Sequence, residues 1–244
     1  MMTQQPIQAP TQICRWHAFP TTDKLNLAAA LEIQRCAQQA IARSGKFSIV
    51  LAGGNTPRQV YGLLRSSDAD WPRWHVYFGD ERCQPPHHPE RNSRMAAESW
   101  LDHVPIPRSQ VHPIPAELGP EQAAVAYAKL LETEGEFDLV LLGLGEDGHT
   151  ASLFPGREWG TGYESPSVLA VFDAPKPPAQ RVSLSAARLS RAGKVMFLVS
   201  GAGKRQAVAD WRAGKSIPAG AIAPPGGVQV FLDEELAGGA ISAG

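Results

Sequence analysis

The sequence predicts an α/β fold, Rossmann-like, with a mostly parallel sheet carrying helices on both faces. Three observations predict it. Short apolar runs of strand length alternate with longer stretches of helical periodicity along most of the 244 residues. Several runs stop at glycines, as buried strands do where the chain turns into a helix. No internal repeat, low-complexity tract or heptad pattern competes with that reading. The length accommodates a substantial core, and residues 1–244 are read as one domain.

Taken in order, a frayed start leads to a short edge strand over Ile13–Ala18. Thr22 and Asp23 form an N-cap region for a helix from Lys24 to Arg43, which Gly45 stops. Phe47–Ala52 is a buried strand ending in Gly53-Gly54-Asn55-Thr56-Pro57, where proline at a first helical position opens a helix through Leu64. Glycines let backbone N–H groups come close to an anion, so this turn is a candidate phosphate cradle. Trp74–Gly79 is a third strand and delivers Asp80, Glu81 and Arg82 at its end. A guanidinium beside a carboxylate there suits a phosphorylated, polyhydroxylated substrate, because Arg grips phosphate oxygens in a bidentate fork. A proline- and histidine-rich loop follows, then Asn92 and a helix through Leu101. Val111–Ile114 is a short strand, Glu121–Glu134 a helix, and Leu139–Leu142 the central strand. Beyond an irregular loop come strands at Val168–Phe172, Arg181–Ser185 and Lys194–Val199, with a proline-rich connector over Asp173–Ala179. Gly201-Ala202-Gly203-Lys204 leads into a helix reaching Trp211, Val228–Leu232 is the last strand, and a disordered tail is expected after Ala237.

Composition narrows the function. With 23 basic and 24 acidic residues the net charge is −1, which argues against nucleic acid or a membrane surface as partner. Three well-separated cysteines lack a C-x-x-C pair and point to a reducing compartment. No signal peptide and no apolar span of bilayer length is expected, so the cytoplasm is the default location. A small molecule is the expected partner, and the chain is expected to be a monomer or small homo-oligomer.

The segment Phe137–Gly156 carries the chemistry. Gly143-Leu144-Gly145-Glu146-Asp147-Gly148 satisfies G-x-G-x-x-G in letters, but Pro155 and Gly156 leave no room for the helix that would hold a pyrophosphate. Two acids inside the loop also oppose a phosphate cradle. A histidine flanked by an acid and small residues at the lip of a strand suits proton transfer instead. Glu146, Asp147, His149, Thr150 and Ser152 are therefore placed at a site mouth. Gly201-Ala202-Gly203-Lys204 is not a Walker A loop, since Leu198 and Arg205 stand where Gly and Ser or Thr are required, yet Lys204 can still meet a phosphate as a point charge. The His87-His88 pair has no matching ligand spacing, and no metal is expected.

Together these segments resemble the 6-phosphogluconolactonases. The resemblance rests on Gly53-Gly54-Asn55-Thr56-Pro57; on Asp80-Glu81-Arg82 with Asn92 and Met95; on Gly143 through Pro155; and on Arg181 with Gly201 and Lys204. It implies a fold shared with glucosamine-6-phosphate deaminases, hydrolysis of 6-phospho-D-glucono-1,5-lactone to 6-phosphogluconate, and no metal or organic cofactor. By position it implies that His149 is the general base and that Asp80 orients the histidine or substrate. It further implies that Arg82, Arg181 and Lys204 bind phosphate or steady developing charge, with Gly53, Gly54, Asn55, Thr56 and Asn92 also contacting substrate. Two departures bear on substrate contacts: Arg91 stands where the family commonly has serine, and Ser190 where asparagine is common.

Two rivals are weaker. A deaminase pattern runs towards Phe-Asn-Glu-Pro after the histidine, whereas here Ser152-Leu153-Phe154-Pro155 lacks that acid. A non-catalytic sugar-phosphate sensor would keep the phosphate groups and lose the base, yet both Asp80 and His149 are present.

Overall fold

The computed structural model describes residues 12–162 and 164–238. The expected frayed start and tail fall largely on residues 1–11 and 239–244, outside the described residues.

The strands are β1 Cys14–Phe19, β2 Phe47–Leu51, β3 Trp74–Phe78, β4 Asp80–Arg82, β5 Val111–His112, β6 Leu139–Gly143, β7 Val168–Val171, β8 Arg181–Leu184, β9 Val195–Val199 and β10 Val228–Asp233. The helices are α1 Thr22–Ser44, α2 Asn55–Leu64, α3 Asn92–Ser99, α4 Pro120–Leu131, α5 Ala186–Ser190, α6 Arg205–Arg212 and α7 Glu234–Ala237. Seven strands form one wholly parallel sheet in the order β1-β10-β9-β6-β2-β3-β5. Along β2 and β9 every residue is buried, and in β6 every residue but Gly143, so neither face of the sheet centre meets water. That is why these strands read as unbroken apolar runs. At the edge of the sheet, β1 has Arg15, His17 and Ala18 exposed and its other residues half-buried, in keeping with its predicted place.

Helix α1 starts where Thr21 accepts a hydrogen bond from the Lys24 N–H and ends at Gly45, whose φ of 76° forms a left-handed cap. It is longer than predicted by about a residue or two at each end, the usual uncertainty of helix boundaries. Helix α2 opens two residues before Pro57, at Asn55. Proline is tolerated there because the first-turn N–H groups have no intrahelical partner in any case.

The sequence reading did not anticipate a second sheet. Strands β4, β8 and β7 leave the parallel layer and pair antiparallel, with Asp80 opposite Ser183 and Arg82 opposite Arg181. Two buried tyrosines secure the strand ends that feed the site. The Tyr61 hydroxyl accepts from the Ala52 N–H (3.0 Å) and donates to its carbonyl (2.8 Å), just past β2. The Tyr127 hydroxyl accepts from the Phe78 N–H (3.0 Å) at the end of β3. Each satisfies backbone groups that leave the ladder, which would be costly to bury unpaired.

Candidate active site

Strands β9, β6, β2 and β3 are neighbours in a parallel sheet, so their carboxyl ends lie side by side, and a cavity of about 320 Å³ opens there. Gly53 and Gly54 follow β2, Asp80 and Arg82 follow β3, His149 follows β6 and Lys204 follows β9; all of them line the cavity. Asn92 and Arg181 line it as well, the first from the start of α3 and the second from β8.

His149 is held from three sides. Its Nδ1 lies 2.5 Å from Asp147 Oδ1, and the same oxygen accepts from the His149 backbone N–H at 3.2 Å. Gly145 lies against the ring: a Cβ there would come within 1.9 Å of Nδ1. The turn that permits this is closed by hydrogen bonds from the Gly145 N–H to the His149 carbonyl and from the Gly148 N–H to the Gly145 carbonyl. Phe154 packs on the imidazole with centroids 4.8 Å apart. Burial pushes the imidazole pKa below its ordinary value, against the opposing pull of Asp147 and Asp80, so the ring is neutral near pH 7. Burial pushes the Asp147 carboxyl up, but the bond and charge of His149 more than offset it, leaving that pKa below its ordinary value. A carboxylate only accepts hydrogen bonds, so Nδ1 carries the proton and Nε2 is the basic nitrogen.

Asp80 is buried, and both carboxylate oxygens have protein partners: Ser152 Oγ donates to one at 2.6 Å and Asn92 Nδ2 to the other at 3.0 Å. The sequence reading has Asp80 orient the histidine or the substrate. No hydrogen bond joins Asp80 to His149 among the described residues; the carboxylate bonded to the imidazole is that of Asp147. Ser152 reaches Asp80 through a turn in which Ala151, a cavity-lining residue, takes a φ of 48°. Left-handed backbone at a non-glycine residue costs energy and tends to occur where a site imposes it. Asn92 also explains Gly53, since a Cβ at position 53 would meet Asn92 Oδ1 at 2.1 Å. Glu81 is fully buried and faces away from the cavity. It accepts from the backbone N–H groups of Arg82 (2.9 Å), Asn92 (2.7 Å) and Ser93 (2.9 Å), capping α3 from another element where Arg91 offers no cap of its own.

Four cations surround this group. Arg181 donates from Nε to the Pro178 carbonyl (3.0 Å) and from Nη2 to the Lys176 carbonyl (2.8 Å), so it anchors the connector between β7 and β8 while lining the cavity. The anchored connector places Lys176 on the cavity wall, a residue the sequence reading missed. A lysine before two prolines in a polar loop carries no signal of its own until its neighbours in space are known. Arg82 Nη1 donates to the Glu90 carbonyl, and Lys204 stands at the start of α6, its ammonium pKa lowered by burial and pulled back up by Glu146. Asp147 was legible as an acid two residues before the histidine, but sequence alone did not assign it the imidazole.

Asn55 and Thr56, predicted to contact substrate, do not line the cavity. Asn55 is exposed at the first turn of α2, and the Thr56 hydroxyl lies 2.6 Å from that of Ser200. The departures at positions 91 and 190 also fall outside it. Arg91 is buried against Glu81 and Glu117 (3.3 and 2.7 Å), and the Ser190 hydroxyl donates to the Ala186 carbonyl and accepts from the Ala223 N–H. No helix follows β6, where turns run on to Gly156, so the dinucleotide reading lacks the helix N-terminus it needs. Among the described residues, no three His, Cys, Asp or Glu side chains are grouped to hold a metal.

A neutral imidazole fixed by a carboxylate, beside several cations, can abstract a proton from water next to a bound anion. The family model described as glucosamine-6-phosphate isomerases/6-phosphogluconolactonase matches residues 20–231. A 6-phosphogluconolactonase of Synechocystis sp. is 39% identical over 210 residues, covering 81% of this chain and 86% of that one. One from Mycobacterium leprae is 37% identical over 232 residues, covering 86% and 92%. The solved structure of 6-phosphogluconolactonase from Trypanosoma brucei superposes with a TM-score of 0.84 at 29% identity, covering 93% of this chain and 98% of that one.

Proposed function

The chain belongs to the glucosamine-6-phosphate isomerase/6-phosphogluconolactonase family, and from that premise we propose that it hydrolyses 6-phospho-D-glucono-1,5-lactone with His149 as general base. This is the lactone-opening step of the pentose phosphate pathway, yielding 6-phospho-D-gluconate. His149 Nε2 takes a proton from water as its oxygen attacks the lactone carbonyl, and the imidazolium returns that proton to the ring oxygen as the C–O bond breaks. Asp147 acts as a positioning residue: it keeps Nδ1 protonated and stabilises the imidazolium. Arg82, Lys176 and Lys204 are assigned to the phosphate, with the remaining guanidinium nitrogen of Arg181. Backbone N–H groups of the Gly53-Gly54 turn and the Asn92 amide contact the sugar. Because such a lactone already hydrolyses unaided, positioning plus one base is sufficient.

The observation that carries the reading is that His149, bonded to Asp147, lines one cavity with four cations. The test is a coupled dehydrogenase assay on freshly prepared 6-phosphogluconolactone; His149→Ala at wild-type turnover would remove the base. In the deaminase reading a carboxylate is needed after the histidine, but Ser152, Leu153 and Phe154 are all buried and none is acidic. The cytoplasm is the compartment we assign, on the strength of three free cysteine thiols. No helix among the described residues is long and apolar enough to cross a membrane.

A further inference from the structure

The assignment of function gives no part to Glu146, an acid beside the cavity-lining Lys176. Glu146 follows β6, and Gly201–Lys204 follows β9, the strand hydrogen-bonded to β6 with Gly143 opposite Leu198. Glu146 therefore lies over the 201–204 turn. Its Oε1 is placed so that a Cβ on Gly203 would come within 2.9 Å of it. On the other side, Oε2 lies 4.0 Å from Lys176 Nζ. The carboxylate thus stands beside Lys176 and against the turn that carries Lys204, the two lysines of the cavity wall, and it pulls the Lys204 pKa upward.

We propose that Glu146 is a displaceable counter-ion for Lys176 and Lys204, competing with the phosphate of substrate and product and so weakening the grip on both. The inference rests on the lactonase reading and deepens it. Two lysines on one cavity wall repel one another; a carboxylate beside them lowers that cost and holds the ammonium groups at the rim. A dianionic phosphate makes the same contacts with more charge, so it replaces the carboxylate, and the carboxylate recaptures the lysines as product leaves. Binding substrate and product tightly alike does nothing for the chemical step, so a built-in competitor favours release. Both side chains of the 4.0 Å pair are more than half exposed, which keeps the effect modest and sensitive to salt.

Two variants test it by different routes. Glu146→Gln removes the charge and keeps the shape. Gly203→Ala keeps the charge but pushes the carboxylate tip aside, and position 203 has no positive φ to strain. The probes are 6-phosphogluconate and, as the phosphate-free control, gluconate, followed by calorimetric titration and by inhibition of lactone hydrolysis. Both variants are expected to bind 6-phosphogluconate about two- to fivefold more tightly at low ionic strength, the range of an exposed ion pair. The gain is expected to vanish at high salt and to be absent with gluconate. Unchanged or weaker binding of 6-phosphogluconate by Glu146→Gln, with wild-type enzyme binding it and hydrolysing the lactone, overturns the counter-ion role alone. An equal gain with gluconate does the same. Wild-type protein that neither hydrolyses the lactone nor binds 6-phosphogluconate overturns the lactonase reading and this inference together.

Discussion

Asp147 Oδ1 lies 2.5 Å from His149 Nδ1, two residues further along the same turn, so the proposed base and its carboxylate partner come from one short loop. That pairing sets the pH behaviour. The imidazole must be neutral to act, and burial holds its pKa below the ordinary value of about 6.5. Activity should rise with pH through this depressed pKa and be nearly complete by neutrality. In Asp147→Asn the carboxylate that raises the imidazole pKa is gone, so the acid limb should move to still lower pH. The plateau of kcat should fall by about ten- to a hundredfold, because the tautomer and the imidazolium lose their support. A profile of kcat/KM from about pH 5 to 7.5 decides it; an unmoved limb with unchanged kcat would relieve Asp147 of the role.

Gly145→Ala should damage catalysis far more than folding. The new methyl would sit 1.9 Å from Nδ1 and 2.2 Å from Cε1 of His149, so the imidazole must leave its position. Overpacking of this kind costs about 1–3 kcal/mol. A chain of this length tolerates that, while displacement of a base by an ångström costs about a hundredfold in rate. Thermal unfolding and kcat measured on the same preparation should separate the two effects; retention of wild-type kcat would contradict the placement of the ring.

Arg82→Ala and Lys204→Ala should each raise KM for the phosphorylated lactone by about tenfold or more, the worth of a charge-assisted hydrogen bond. kcat should change little, and glucono-1,5-lactone should be affected far less than its 6-phosphate. Steady-state kinetics on the two lactones read this directly. Undiminished preference for the phosphorylated lactone would take these residues out of the phosphate site.

Glu81→Ala should be the most destabilising of these changes. The carboxylate is fully buried, accepts from three backbone N–H groups and faces Arg91 Nε at 3.3 Å. Its loss leaves Arg91 short of a partner and α3 uncapped, at a cost of about 3–5 kcal/mol. Glu81→Gln, which keeps an acceptor, should lose less. Chemical denaturation checks both, and a Glu81→Ala midpoint equal to wild type would show that the cap contributes nothing.

The sequence by itself determined the parallel sheet, because β2, β6 and β9 are covered on both faces and need unbroken apolar runs, which are visible in one dimension. It also marked turns that line the cavity, since glycine is required wherever backbone or ring must come close, as at Gly53 and Gly145. Only tertiary structure decided how those turns divide the work. Asp80 and Asp147 are both acids near a strand end, and nothing local states that Asp80 takes Ser152 and Asn92 as partners while Asp147 takes the imidazole. Arg82 and Arg181 meet because β4 and β8 pair across about a hundred residues, and Lys176 reaches the wall because Arg181 anchors its loop. Such partners are set by the geometry of distant segments. Strand periodicity and turn chemistry depend on immediate neighbours alone, and for that reason they were legible beforehand.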